Sequence, residues 1–141
     1  MTLVPAVNGS PRKHGNTETV LDAFLRGAES TGAETNKLAL VDIDHKNCRG
    51  CNACHKKGVC ILKDDLTPIF DAVLASDILV LASPIYSMTV TAEMKSFIDR
   101  GQFLWAQQFV TKTLAFPEEH RKTHSTVYLG SSGQDTPHSF P

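Results

Sequence analysis

The sequence predicts an α/β domain in which a parallel sheet is wound with helices on both faces. Three observations predict it. Short apolar runs of strand character alternate with stretches of helical period. Ile78 to Ala82 is an uninterrupted apolar run, the pattern of a parallel strand covered on both sides. Three of the runs end in loops rich in Gly, Ser, Pro or Asn, the residues of tight turns.

Val4 to Val7 reads as the first strand, ending at Asn8-Gly9-Ser10-Pro11. Pro5 lacks a ladder donor, so in a central strand it must sit at the start or beside a gap in pairing. A helix follows, with Val20, Leu21, Phe24, Leu25 and Ala28 on one apolar stripe. Asn16 or Thr17 can cap its start and Gly32 suits its end. Lys37 to Ile43 supports a second strand, and the cysteine segment 48–60 has no period and reads as a loop. Asp64 or Asp65 opens the next helix, with Ile69, Phe70, Val73 and Leu74 inward and Pro68 tolerated in its first turn. Ile78 to Ala82 is the third strand, and Ser83 to Thr89 a loop. Thr91 to Trp105 is predicted helical, with Met94, Phe97, Ile98 and Phe103 inward. Residues 106–122 are mixed and carry no assignment. Thr126 to Leu129 is the fourth strand, ending at Gly130-Ser131-Ser132-Gly133. The order β-α-β-(cysteine loop)-α-β-α-β implies a parallel, doubly wound sheet.

At 141 residues the chain reads as a single domain, 1–141, with the cysteine-rich loop inserted at 48–60. A five-stranded sheet of this type needs a further helix, strand and helix. The sequence is therefore read as shortened at the C-terminus, or as a fragment. The formal net charge is −1 and no basic stripe is present, which argues against a nucleic-acid partner. Lys56-Lys57 and Arg121-Lys122 read as solvated surface. No apolar run approaches bilayer length, and Met1 to Val7 lacks the basic start of a signal peptide. A cytoplasmic location and no membrane partner are the resulting expectations.

The first loop, Asn8 to Thr17, precedes a helix and has the chemistry of an anion site. Helix-start N–H groups and the helix dipole favour negative charge. Ser10, Asn16 and Thr17 add donors, Arg12 adds charge, and Gly9 and Gly15 allow close backbone approach. The stretch is neither a Walker loop nor a dinucleotide fingerprint, so one phosphate, and hence a mononucleotide, fits better than a pyrophosphate. The plain alternative is an ordinary strand-to-helix loop. In open α/β sheets ligands bind beyond the carboxyl ends of the strands. The loops after strands one, three and four share that rim. Tyr86 and Met88 offer apolar contact to a flat ring.

Cys48, Cys51, Cys54 and Cys60 are spaced C-x2-C-x2-C-x5-C, and the chain has no other cysteine. Clustered thiols suit metal or redox chemistry better than a disulfide scaffold. Thiolate-only ligation at this spacing suits a [4Fe–4S] cluster. Zinc in the same thiolates, with His45 or His55 substituting, is one alternative, and free thiols are another. His14, His120, His124 and His138 show no ligand spacing and read as surface or loop residues.

Three stretches carry a family resemblance: G-S-P-R-K-H-G-N-T (9–17), C-R-G-C-N-A-C-H-K-K-G-V-C-I-L-K-D-D (48–65) and S-P-I-Y-S-M-T-V-T-A-E-M-K-S-F-I-D-R (83–100). The sequence resembles the NADPH-dependent FMN reductase and iron–sulfur flavoprotein branch of the flavodoxin-like superfamily, over most of residues 3–135. The resemblance implies a three-layer α/β/α fold. It implies that Ser10, Arg12, Asn16 and Thr17 hold the FMN phosphate. Pro84, Ile85, Tyr86, Ser87 and Met88 would line the isoalloxazine, with Ser131, Ser132 and Gly133 on its other edge. Lys95, Asp99 and Arg100 belong to the motif, and we read them as helix-surface pairing or a subunit contact. The implied activity is FMN-dependent electron transfer between NAD(P)H or a ferredoxin-type donor and a small-molecule or small-protein acceptor. A [4Fe–4S] cluster would be the second centre, and no side chain stands out as an obligatory acid or base. A homodimer or homotetramer is expected, both from the resemblance and from an unfinished sheet edge. The competing readings are a non-enzymatic electron carrier and a shortened domain that binds no flavin.

Overall fold

The computed structural model describes residues 1–114 and 123–133. The strands are β1 (Leu3–Asn8), β2 (Glu34–Ala39), β3 (Ile78–Pro84) and β4 (Ser125–Ser131). The helices are α1 (Asn16–Ser30), α2 (Ala53–Lys57), α3 (Leu66–Ala75), α4 (Ala92–Arg100) and α5 (Gln102–Phe109). The sheet has the order β2-β1-β3-β4 and every pairing is parallel. This is the flavodoxin-like order through its fourth strand, with the switch point between β1 and β3.

Alternation along β1 and β3 divides the core between two faces. Val4, Ala6, Val80 and Ala82 meet Leu21 and Leu25 of α1. Val7 and Leu79 meet Phe70 and Val73 of α3 and Met94 and Phe97 of α4. Phe70 stacks flat on Phe97 with ring centroids 5.0 Å apart, and Phe103 meets Phe70 edge-on at 5.1 Å. The apolar run Ile78–Ala82 is thus covered on both sides, as its composition requires.

Pro5 is central in the sheet without breaking it. The N–H groups of Leu3 and Gly9 point toward the β3 side, to the Asp77 carboxylate and the Ala82 carbonyl. By strand parity the missing N–H of Pro5 lies on that side too. Pairing with β3 begins only at Ala6↔Val80, so Pro5 sits beside a gap in the ladder.

Several expectations are corrected. β2 lies earlier than predicted, and Leu40–Asp42 form a 3₁₀ turn, because Leu40 turns inward to the core. Neither Asn16 nor Thr17 caps α1; Gly15 holds that position with no side-chain cap. Its C-terminal stop at Gly32 is as read. Gly32 has φ +89, and the N–H groups of Gly32 and Ala33 close back on Glu29 and Ala28. The cysteine segment contains the one-turn helix α2 rather than loop throughout. The predicted helix from Thr91 to Trp105 breaks at Gly101 into α4 and α5. Ile98 faces solvent rather than the core, and Val20 does the same on α1. Arg121-Lys122, His120 and His138 lie outside the described residues.

Two polar junctions fix the loops. Thr91, fully buried, caps α4 by accepting from the Met94 N–H at 3.2 Å and donates to the Gly9 carbonyl at 2.6 Å. α4 packs so closely there that a Cβ on Gly9 would stand 2.8 Å from the Met94 Cβ. At the far end of α4, Arg100 is not a surface residue as expected. It is buried and makes a two-pronged pair with Asp64. It also donates to the Lys46 carbonyl at 2.7 Å. Lys95 and Asp99 do form the expected surface pair. Burial would raise the Asp64 carboxyl, but Arg100 and the N–H groups of Lys46 and Leu66 outweigh it and hold it at about 2, from 3.8.

Gly9→Ala should cost about 1–3 kcal/mol in urea unfolding, because Met94 cannot recede without moving α4; a variant as stable as the parent would show that the approach is loose. The depressed Asp64 carboxyl contributes stability above its unfolded pKa, and that stability is lost as pH falls through about 2. The unfolding free energy measured in urea should therefore drop between pH ~4 and ~2, by roughly 2 kcal/mol from this group. Asp64→Asn should abolish that share of the slope.

Candidate functional site

Three loops close on one cleft at the carboxyl rim of the sheet. Its wall is formed by Ser10, Arg12, Gly15, Asn16 and Thr17 from the first loop, Pro84, Ile85 and Tyr86 from the third, and Ser131, Ser132 and Gly133 from the fourth. Its volume is about 310 Å³, within the range of small-ligand sites. Ten of the twelve residues expected to meet a cofactor are therefore brought together. Ser87 and Met88 are not in the wall. Both have positive φ, and they form a two-residue turn closed by paired backbone hydrogen bonds between Tyr86 and Thr89. Met88 projects into solvent at the tip of that turn.

The loops are joined to one another as well as to the sheet. The Thr17 hydroxyl lies 2.8 Å from the Ser131 hydroxyl, tying the start of α1 to the end of β4. The Ile85 N–H donates to the Ser131 carbonyl at 2.8 Å, tying the third loop to the fourth. Ser10 is buried and turns the first loop inward. Its N–H donates to Asn8 Oδ1 at 2.9 Å, and its hydroxyl accepts from the Arg12 N–H at 3.2 Å.

The electrostatics favour an anion at the first loop. α1 starts in the cleft wall without a side-chain cap, so its N-terminal donors and dipole face the space. The Arg12 side chain is exposed and makes no hydrogen bond or ion pair among the described residues. The nearby carboxylate, Glu18, is already engaged with Lys37 Nζ at 2.7 Å and with the His14 N–H. The Lys37 and His14 contacts lower its pKa against a smaller opposing effect of burial. The third loop adds the flat, half-exposed Tyr86.

Cys48, Cys51, Cys54 and Cys60 all line a second, much smaller cavity of about 30 Å³, with Arg100 and Phe103 in its wall. No disulfide joins them. Burial raises the Cys54 thiol, and the neighbouring Cys51, Cys60 and Cys48 raise it further. Among the described residues no three His, Cys, Asp or Glu side chains are drawn into a metal-ligating group. His45 and His55 do not line this cavity. His55 instead packs against Trp105 at 5.7 Å. Of the remaining described histidines, His14 is exposed and His124 Nδ1 lies 2.9 Å from the Ser76 carbonyl.

Sequence reasoning missed two residues that shape these sites. Thr91 fixes the first loop from below, and Arg100 joins the wall of the cysteine cavity. The signal for Arg100 was its position three residues after Phe97, on the buried stripe of α4.

Comparison with known proteins agrees with this geometry. Among the described residues no helix is long and apolar enough to cross a membrane. An iron-sulfur flavoprotein of Archaeoglobus fulgidus is 45% identical over 123 residues, covering 87% of this chain and 50% of that protein. An iron-sulfur flavoprotein of Methanosarcina thermophila is 30% identical over 109 residues, covering 77% of this chain and 57% of that protein. The chain thus spans about half the length of the curated relatives it matches. An NAD(P)H:quinone oxidoreductase from Methanothermobacter marburgensis superposes with a TM-score of 0.69 at 17% identity, over 97% of this chain and 66% of that one. At that identity the likeness shows the flavodoxin-like fold alone. Residues 2–126 match the model of the NADPH-dependent FMN reductase family, and the chain belongs to that family.

Proposed function

We propose that the chain is the flavin-binding part of an FMN-dependent oxidoreductase that moves electrons from NAD(P)H or a ferredoxin-type donor to an acceptor. The observation that carries the reading is the rim cleft, in which an uncapped helix start, an exposed arginine and an aromatic edge converge. Arg12, Ser10, Asn16, Thr17 and the α1 N-terminus would bind the phosphate. Pro84, Ile85 and Tyr86 would seat one side of the ring system, and Ser131, Ser132 and Gly133 the other. Ser87 and Met88 would cover the ring from the turn beside the cleft. FMN, when bound, supplies the hydride and single-electron chemistry. The protein's part is to bind, orient and exclude water, and no side chain is assigned as acid or base.

Cys48, Cys51, Cys54 and Cys60 would hold a [4Fe–4S] cluster, a one-electron centre. Their shared cavity, their thiolate-only donor set and the names of the relatives in Archaeoglobus fulgidus and Methanosarcina thermophila support this reading. Exposed apolar side chains beside the cysteine loop, among them Val59, Trp105 and Phe109, support a homodimer or homotetramer.

Arg12→Ala should weaken FMN binding about 10- to 100-fold, the worth of a charge-assisted phosphate contact, in a fluorescence-quenching titration. Unchanged affinity would place the phosphate elsewhere. Anaerobic mixing of the flavin-loaded protein with NAD(P)H, and separately with reduced ferredoxin, should bleach the flavin with at least one of them. If neither reduces it, the oxidoreductase reading is wrong.

A further inference from the structure

Arg100 ends α4 with its side chain only 2% exposed. Its two terminal nitrogens are committed. Nη1 donates to Asp64 and to the Lys46 carbonyl, and Nη2 donates to Asp64 Oδ1 at 3.0 Å. Lys46 lies two residues before Cys48 and Asp64 four after Cys60, so this side chain holds both stems of the cysteine loop. The third donor is different. Nε–H is buried and has no acceptor among the described residues. Buried donors are rarely left unmatched, because desolvation without a partner is costly. The same side chain forms part of the wall of the cavity that the four cysteines share. Cys60 lines that wall together with Arg100, so sulfur and guanidinium share one small cavity. Burial disfavours the charged guanidinium, but Asp64 and then Cys60 outweigh it.

We propose that Arg100 is a positioning residue for the metal centre of the cysteine loop: its Nε–H donates to a ligating sulfur, that of Cys60, and its charge favours the more reduced state. This rests on the reading of the four cysteines as ligands of an iron–sulfur centre. Hydrogen bonds and positive charge next to ligating sulfur make reduction easier, and both raise the potential.

The test uses the whole chain loaded anaerobically with ferric iron, sulfide and excess thiol, so that the ferric iron supplies the oxidising equivalents of the centre. Iron and acid-labile sulfide are assayed first, and the reduction potential is then followed by EPR. Arg100→Lys keeps a positive charge but has no Nε donor; it should retain iron and shift the potential downward. Asp64→Asn leaves Nε in place and removes a neutralising negative charge; it should shift the potential upward. Both variants lose stability, so a purely structural role would move the two potentials alike or not at all. Full iron content with an unchanged potential in Arg100→Lys overturns the proposal. Should that variant fail to fold, ¹⁵Nε-arginine labelling in an Arg49→Lys background gives a second readout. Pulsed EPR of the reduced centre should then show coupling to an arginine nitrogen, and absence of coupling overturns the proposal. A parent protein that takes up no iron and sulfide overturns the cysteine reading itself, and this inference with it, before any potential is measured.

Discussion

One hydroxyl joins loops that the sheet merely places side by side. Thr91 caps α4 and, with the same oxygen, donates to the Gly9 carbonyl. The parallel sheet sets β1 and β3 next to each other, but that alone leaves their loops free to diverge. Thr91 couples them: the first loop cannot move without disturbing the start of α4. The absence of a side chain on Gly9 makes the contact possible, since Met94 occupies the space a Cβ would need. Thr17 and Ser131 repeat the device at the opposite wall of the cleft. Every rim loop is thus held by at least one hydrogen bond to another, which pre-forms a site before any ligand arrives.

α4 carries this order across the molecule. Its nine residues span about 14 Å, from Thr91 beside the rim cleft to Arg100 beside the cysteine cavity. Phe97 and Met94 bury its middle against the core, and Phe70 stacks on Phe97. The two candidate redox sites are therefore attached to the ends of one rigid, well-packed rod. That rod fixes the cysteine loop relative to the rim cleft.

Much of this was legible in the sequence, because hydrophobic periodicity and turn chemistry are local signals. Ile78–Ala82 announced a strand covered on both faces, and the loops at Ser10, Pro84 and Ser131 do meet at one cleft. What was not legible depends on contacts far apart in the chain. The inward turn of Leu40 displaced the end of β2, and tertiary packing decided it. The helix from Thr91 looked continuous past Gly101, since glycine marks a break only when the packing calls for one. Arg100 looked like a surface residue because its partner, Asp64, lies 36 positions earlier. Ser87 and Met88 share the motif of the cleft yet form a turn beside it, a matter of positive φ angles that composition does not reveal.

The central claim is that this chain carries two redox sites, a flavin in the rim cleft and an iron–sulfur centre in the cysteine loop. The most direct test is an absorption spectrum of protein purified without oxygen, before and after dithionite, with flavin, iron and acid-labile sulfide assayed on the same sample. The account predicts flavin bands over a broad shoulder that dithionite bleaches, with iron and sulfide in equal amounts. A colourless protein that takes up neither added FMN nor iron and sulfide would contradict it.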